Sequence, residues 1–183
     1  RRSSDLQVQK LEQRKNELSS QLNALKDTAD KNEKAAEIAK QNAQTNGILS
    51  GRLAATGEGV VIRISQGSKQ KIDSAILFTL LEELRNSGAE VIEINNVRVV
   101  TSTYISGTAG SLVCDGTKLK SPFTIRAIGD SDNLQNAVNL AGGVGSRLKV
   151  KYGATVSVSP SDKVMIKSTR QAPQYTYAHV IGQ

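Results

Sequence analysis

The polar residues best suited to binding chemistry lie in one short stretch near the middle of the chain. This stretch follows an apolar run and combines amide, guanidinium and hydroxyl groups: Asn95, Asn96, Arg98, Thr101, Ser102 and Thr103. Strand ends and loops commonly carry binding function, so five of these residues are a candidate ligand- or partner-binding site. The five are Asn95, Arg98, Thr101, Ser102 and Thr103. The pattern favours a structural role over this one: Asn95 makes a turn, and Arg98 pairs with Glu90 or Glu93 across a hairpin.

The chain offers few groups for catalysis. His179 is its only histidine and lies near the C-terminus between small and apolar residues, which favours a packing or exposed role over that of a catalytic base. Cys114 lies in an apolar strand pattern, which predicts a buried side chain rather than a nucleophile. No cluster of His, Cys and acidic residues has the spacing of a metal site. We therefore predict a non-enzymatic protein with no catalytic residues, no cofactor and no metal.

The net charge of +7 raises the question of nucleic-acid binding. The basic residues after residue 57 are scattered, and only the segment 147–151 places them in alternation. Few aromatic residues lie nearby to stack on bases. The pattern favours solvated strand faces, and we predict no nucleic-acid partner.

The strongest structural signal is the segment 57–98, which reads as a strand–helix–strand unit. Residues 59–65 predict a strand with both faces largely buried. A helix capped by Asp73 or Ser74 follows, and Gly88 stops it. Its apolar residues fall on one stripe: Leu77, Leu80, Leu81 and Leu84. Residues 89–95 predict the next strand, and Asn95-Asn96 predicts a hairpin turn into residues 97–104.

The remaining segments predict a second unit of similar order. We expect short strands at 111–114 and 122–129, then a helix capped by Ser131 or Asp132 and ended by Gly142-Gly143. Further strands are expected at 147–152, 155–158 and 163–166. The globular part is therefore predicted as an α+β fold of two βαββ-like halves. Residues 167–183 lack clear periodicity, leaving open an extension or an edge strand at 175–181.

The leading residues predict one long helix over about 5–45, ended by Asn46-Gly47. Apolar residues recur at heptad spacing: Val8, Leu11, Leu18, Leu22, Leu25, Ala29, Ala36, Ala39 and Ala43. A 3.5-residue repeat of this length favours a coiled coil over a helix packed on a globular core, with a solvated single helix as the alternative. We thus divide the chain into a coiled-coil stalk (1–46), a joint (47–56) and a globular domain (57–183), and expect a homo-oligomer formed through the helix.

Several pieces of the globular part resemble a bacterial family, the domain-of-unknown-function 881 family. They are Gly57-x-Gly59-Val60, the run Leu81-x-x-Leu84-x-x-x-Gly88-Ala89-Glu90-x-Ile92-x-Ile94-Asn95-x-x-Arg98, and Pro122-Phe123-x-Ile125-x-Ala127-Ile128-Gly129. The resemblance implies a membrane-anchored protein with a coiled coil and an extracytoplasmic domain, mainly in Gram-positive lineages and often encoded near division and envelope genes. The resemblance implies no reaction, because none is established for the family.

The resemblance sets our expectation for function. We expect a non-enzymatic cell-envelope scaffold or adaptor, linked to division or wall assembly through envelope or division proteins. Its place would be the outer face of the cell membrane, with a membrane anchor upstream of Arg1. The alternative is a ligand-binding or sensor domain for a wall fragment or another small anionic ligand.

Overall fold

The computed structural model describes residues 2–182, with side chains from Leu6 onward, so the outermost residues of the predicted domains lie outside the described part. The described chain divides into two compact units, with the boundary between Thr45 and Asn46. The first helix, α1 (Arg2–Leu49), fills the first unit, and its residues from Asn46 onward belong to the second. The long N-terminal helix is thus confirmed.

The prediction that Asn46-Gly47 ends α1 is wrong, because the helix continues to Leu49. The stop is Gly51, whose φ of 73° is left-handed. Its N–H donates to the Ile48 carbonyl at 3.0 Å, and the Arg52 N–H donates to the Gly47 carbonyl at 2.8 Å, which together form a Schellman motif. Gly47 serves packing instead, since a side chain there would meet Leu53 Cδ1 at 2.5 Å.

The first half of the globular part has the predicted βαββ order. It consists of β1 (Ala55–Ser65), α2 (Ser74–Asn86), β2 (Val91–Ile94) and β3 (Val97–Val99). Asn95 and Asn96 close the β2–β3 hairpin with φ values of 45° and 64°, as a type I′ turn requires. One expectation fails: β1 is fully buried on one face only, because Val61 is half-buried and Arg63 is exposed on the other.

Both ends of α2 follow local sequence signals. Asp73 is the N-cap and accepts a hydrogen bond from the Ile76 N–H at 2.9 Å. At the C-terminal end Gly88 has a φ of 91°, and the N–H groups of Gly88 and Ala89 donate to carbonyls of the last turn. The predicted leucine stripe is buried in the core. The caps therefore fix where α2 begins and ends, and the stripe fixes which face it turns to the sheet.

We expect replacement of Asp73 by alanine to destabilise the protein by about 1–2 kcal/mol, because the first turn of α2 loses its cap. Asp73 also accepts a hydrogen bond from the Tyr152 hydroxyl at 2.6 Å. Urea denaturation measures the loss. Ser74→Ala is the matched control, since the Ile76 N–H donates its cap hydrogen bond to Asp73 and not to Ser74.

The same carboxylate gives stability a pH dependence. Burial acts to raise the pKa of Asp73, but hydrogen bonds from Tyr152 and Ile76 outweigh it and hold the pKa below the ordinary 3.8. A depressed folded-state pKa contributes stability above the unfolded pKa, and that stability is lost as pH falls through the folded value. Below about pH 4 the native protein should therefore lose more stability than Asp73→Ala. If the stability of the two proteins changed with pH in the same way, the pH dependence could not be assigned to Asp73.

The segment after β3 forms a small antiparallel sheet that the sequence only partly predicted. Its strands are β4 (Ile105–Thr108), β5 (Ser111–Cys114) and β6 (Thr117–Leu119), in the order β4-β5-β6. The predicted strand at 111–114 is confirmed. Asp115-Gly116 turns the chain between β5 and β6, and Gly107 lies within β4, where it pairs with Leu112.

The second half departs from the predicted βαββ order. It consists of β7 (Phe123–Ile128), α3 (Ser131–Asn139), α4 (Val144–Val150) and β8 (Thr155–Ile166). Residues 147–150, predicted as strand, belong to α4, where buried Val144 and Leu148 lie one turn apart while Val150 is exposed. The N-cap of α3 is Asp130, rather than Ser131 or Asp132. The half is therefore βααβ.

The two predicted strands at 155–158 and 163–166 are one continuous strand, β8. Pro160 does not interrupt this strand, because β8 lies at the edge of the sheet, where a residue without an N–H is tolerated. A register shift opposite Gly57 and Gly59 marks a β-bulge. The tail beyond β8 contains no helix or strand over the described residues 167–182, so the edge strand at 175–181 is absent.

A five-stranded antiparallel sheet, in the order β3-β2-β7-β1-β8, organises the second unit. Helices α2, α3 and α4 pack on one face over the main apolar core. The other face, termed the open face, carries a smaller apolar cluster: Val91, Ile128, Val164 and Ile166. Gly59 permits close pairing of β1 and β7, since a side chain there would lie 1.9 Å from the Ala127 carbonyl oxygen. The α+β class is thus confirmed.

Candidate functional site

Arg98 is the most deeply buried of the predicted site residues. It lies on β3 opposite Glu93 and is only 2% exposed. Its guanidinium donates to three backbone carbonyls, those of Leu53 at 2.9 Å, Ser168 at 3.1 Å and Ile48 at 2.9 Å. The Ile48 carbonyl thereby gains a second donor beside the Gly51 N–H, and Arg98 joins three segments of the second unit.

Arg170 extends this arrangement from the tail. Its N–H donates to the Gly51 carbonyl at 2.7 Å, and its Nε donates to the Arg98 carbonyl at 2.7 Å. Its Nη2 reaches Thr103 Oγ1 at 3.2 Å and also the Asp115 carboxylate. Thr103 Oγ1 accepts from the Val100 N–H at 2.8 Å as well, so this oxygen accepts two hydrogen bonds from within the fold.

The other predicted site residues do not converge on Arg98. Asn95 lies in the β2–β3 turn, where its side chain donates to the Lys120 carbonyl at 2.9 Å and accepts from the Thr124 N–H at 2.8 Å. Thr101 and Ser102 are exposed in the loop after β3. The structure therefore joins Arg98 and Thr103 through Arg170 and leaves the rest apart. A binding role for these five residues stays a prediction.

The expected ion pair between Arg98 and Glu90 or Glu93 is wrong. Glu90 is exposed, and Glu93 instead accepts a hydrogen bond from Arg126 of β7 at 2.9 Å. Burial lowers the pKa of Arg98, and the negative charge of Glu93 opposes that shift. Since the ordinary arginine pKa lies far above neutrality, Arg98 remains charged and its charge is spread over carbonyl dipoles.

Sequence reasoning missed a cleft on the open face of the sheet. This open-face cleft has a volume of about 390 Å³, and its lining includes Val61, Glu93, Arg126, Lys163, Met165 and Lys167. Arginine and lysine residues thus line the cleft together with a buried carboxylate and apolar groups. Within the predicted strand 122–129, Arg126 alternates with the apolar residues Phe123, Ile125 and Ala127. Its neighbours on β2, β1 and β8 became known only with the strand pairing.

The cysteine and the buried tyrosine, which are the groups suited to nucleophilic chemistry, have raised pKa values. Cys114 is buried as predicted, and burial raises the pKa of its thiol to about 11. Burial and a hydrogen bond to Asp73 raise the pKa of Tyr152 to about 12. Both groups are protonated at neutral pH. His179 is exposed in the tail, away from any helix or strand.

Two features are absent from the described residues. No three His, Cys, Asp or Glu side chains there come together in a way that could hold a metal ion. Nor does any helix in that part of the chain combine the length and the apolar character needed to cross a membrane.

Comparison with known proteins gives the family. A family model described as a bacterial protein of unknown function (DUF881) matches residues 42–179. The chain belongs to this family. The resemblance drawn from the glycine and Asn-x-x-Arg pieces is thereby confirmed. The motif residues now have physical roles: Gly59 for strand approach, Gly88 for the stop of α2, Asn95 for the hairpin and Arg98 for the carbonyl contacts.

Relatives within the DUF881 family carry names without a function. The UPF0749 protein Rv1825 of Mycobacterium tuberculosis is 34% identical over 169 residues, which is 90% of this chain and 57% of that protein. The UPF0749 protein YlxW of Bacillus subtilis is 30% identical over 126 residues, 64% of this chain and 54% of that protein. The chain thus spans little more than half the length of these relatives.

A solved structure supports the fold. The crystal structure of an uncharacterized conserved protein from Mycobacterium tuberculosis is 35% identical, with a TM-score of 0.69. The match covers 76% of this chain and 99% of that one. The α+β architecture described above is therefore similar to one already seen in a crystal.

Proposed function

We propose that this chain is a non-enzymatic scaffold or adaptor of the cell envelope that self-associates through α1. The observation that carries the proposal is the heptad stripe, the apolar side chains Val8, Leu11, Leu18, Leu22 and Leu25. Their exposed fractions run from 53% at Val8 to 68% at Leu11 and Leu25. Aliphatic side chains of this size each gain about 1.5–3 kcal/mol on full burial, so an exposed stripe favours binding of another helix.

A second copy of this chain is the occupant that the stripe fits. With Val8 at position a, the leucines occupy the a and d positions that pack knobs into holes in a coiled coil. A parallel pair would place each g residue near an e residue of the partner. The resulting pairs are Gln7–Glu12, Arg14–Ser19, Gln21–Lys26 and Thr28–Glu33. None joins like charges, so a parallel homotypic pair meets no repulsion at these positions.

The second unit supports the non-enzymatic part of the proposal. Its cysteine and its buried tyrosine are held protonated, and its buried Arg98 and Thr103 bind the fold itself. The envelope setting and a role with division or wall-assembly proteins come from the family resemblance. In this proposal, self-association gathers several copies of the second unit, and partners bind to them together.

Cysteine cross-linking tests the association. Lys15 lies at an a position, so in a parallel, in-register pair a cysteine there faces its counterpart within disulfide range. We expect Lys15→Cys to form disulfide-linked dimers under mild oxidation. The control is Gln13→Cys on the opposite helix face, and the native Cys114 is buried. Equal cross-linking of both variants, or none for Lys15→Cys, would contradict a parallel pair.

A further inference from the structure

The open-face cleft lies where four strands run side by side. Across the sheet, Glu93 of β2 is opposite Arg126 of β7, Arg126 is opposite Val61 of β1, and Val61 is opposite Ser159 of β8. The β-bulge between β1 and β8 shifts the register beside this row. Bulges bend a strand and re-aim its side chains. Lys163 lies in the bulged segment of β8 and is one of the residues that line the cleft.

The charges of the cleft are unbalanced. The side chain of Glu93 is only 4% exposed, and its carboxylate is neutralised by Arg126. Lys163 and Lys167 are exposed, and neither forms a salt bridge within the described part of the chain. Three cations against one carboxylate leave two positive charges facing the cleft. The Arg126 side chain is 34% exposed, so part of its guanidinium is also open to a ligand.

The apolar part of the cleft adds a second requirement. Val61 is half-buried and Met165 is 50% exposed, and both line the cleft beside the cations. Water solvates such side chains poorly, whereas a ligand with an apolar portion can cover them. The site therefore suits an anion that carries an apolar group.

We propose that the open-face cleft binds a phosphate monoester. A phosphate monoester carries about −1.5 to −2 charges at neutral pH, which matches the two unbalanced positive charges. The paired Arg126 can donate to phosphate oxygens with its free N–H groups while it holds Glu93. Lys163 and Lys167 supply mobile charges at the rim, and Val61 and Met165 contact the esterified group. This binding is separate from self-association through α1.

An NMR titration of the whole chain with phenyl phosphate tests the site. We expect amide shifts centred on β7 and on residues 161–167, which include the end of β8. Binding should be tighter than that of inorganic phosphate, because the phenyl ring covers Val61 and Met165. The Lys163→Gln/Lys167→Gln variant should bind phenyl phosphate at least about 10-fold more weakly, since two charge-assisted contacts are lost.

The matched control removes the same charge elsewhere. Lys118 and Lys149 are exposed and lie outside the cleft, so Lys118→Gln/Lys149→Gln should leave the affinity within about 2-fold of the original, at the precision expected for remote sites. An equal loss in both double variants would overturn the proposal, because the attraction would then come from net charge alone. Absence of shifts at the cleft with phenyl phosphate in excess would overturn it as well.

Vesicles distinguish the source of the phosphate. Phosphatidylcholine vesicles with and without phosphatidic acid present the same monoester on a lipid surface. Cosedimentation that depends on Lys163 and Lys167, together with phenyl phosphate binding, would assign a lipid headgroup. Phenyl phosphate binding without cosedimentation would assign a soluble phosphate. Cosedimentation without phenyl phosphate binding would overturn the proposal, because surface attraction requires no cleft.

Discussion

The double variant Leu18→Ser/Leu22→Ser is expected to be monomeric at concentrations where the native chain is associated. Leu18 occupies a d position and Leu22 an a position of the heptad stripe, and both are exposed in the single chain. Each buried leucine contributes about 2 kcal/mol to association. A dimer of the double variant lacks four leucines, so the free energy of association weakens by about 8 kcal/mol. The dissociation constant then rises roughly a million-fold.

The matched control places serines on the other side of α1. Gln13 and Asn23 lie off the heptad stripe, so Gln13→Ser/Asn23→Ser places two serines in α1 without touching the a and d positions. Sedimentation velocity compares the two variants, and circular dichroism follows the helix. Association that survives Leu18→Ser/Leu22→Ser unchanged would show that copies meet through some other surface.

Replacement of Arg98 by alanine should destabilise the second unit by about 3–5 kcal/mol. The variant removes the donor of the Leu53 and Ser168 carbonyls and one of the two donors of the Ile48 carbonyl. Each buried acceptor left without a partner costs about 1–3 kcal/mol, less where water enters. Domains of this size are stable by only about 5–15 kcal/mol, so the effect reaches a large fraction of the total.

Two further variants separate charge from geometry at this position. Arg98→Lys keeps the charge but lacks the planar fork, so we expect it to lose about half as much stability, roughly 2 kcal/mol. Arg63→Ala removes an exposed arginine from β1 and should stay within about 0.5 kcal/mol of the native chain. Urea denaturation measures the stability of all three variants through the midpoint of the transition, provided that the slope against denaturant concentration is unchanged. A native-like midpoint for Arg98→Ala would mean that the carbonyl contacts contribute little.

The elements that could be predicted are determined by residues close to them in the sequence. The start of α2 follows from Asp73, its end from Gly88, and its buried face from leucines at helical spacing. The β2–β3 hairpin follows from two asparagines, whose left-handed φ values a type I′ turn demands. In each case the physical cause lies within a few residues of the feature.

The errors arise where a short pattern fits two structures. Residues 147–151 alternate basic and apolar residues, which fits a strand. Leu148 and Val144 are both buried and lie one helical turn apart, and this spacing fits the helix α4 that is observed. Pro160 was read as a strand break, although an edge strand tolerates it. Asn46-Gly47 was read as a helix stop, although Gly51 supplies the left-handed residue.

The candidate sites depend on contacts between distant segments. The carbonyls that Arg98 binds belong to residues 45 to 70 positions away, so its structural task could not be deduced from its neighbours. The same holds for the open-face cleft, whose charges come from β2, β7, β8 and the residue that follows β8. Only the strand order β3-β2-β7-β1-β8 brings them together.

Sedimentation equilibrium of the unmodified chain over a wide concentration range tests the self-association claim most directly. One chain has a mass of 19.6 kDa. We predict a larger mass, equal to a whole multiple of this value, that resolves toward a single chain on dilution. A mass of 19.6 kDa at every concentration would show that the heptad stripe of α1 binds no second copy.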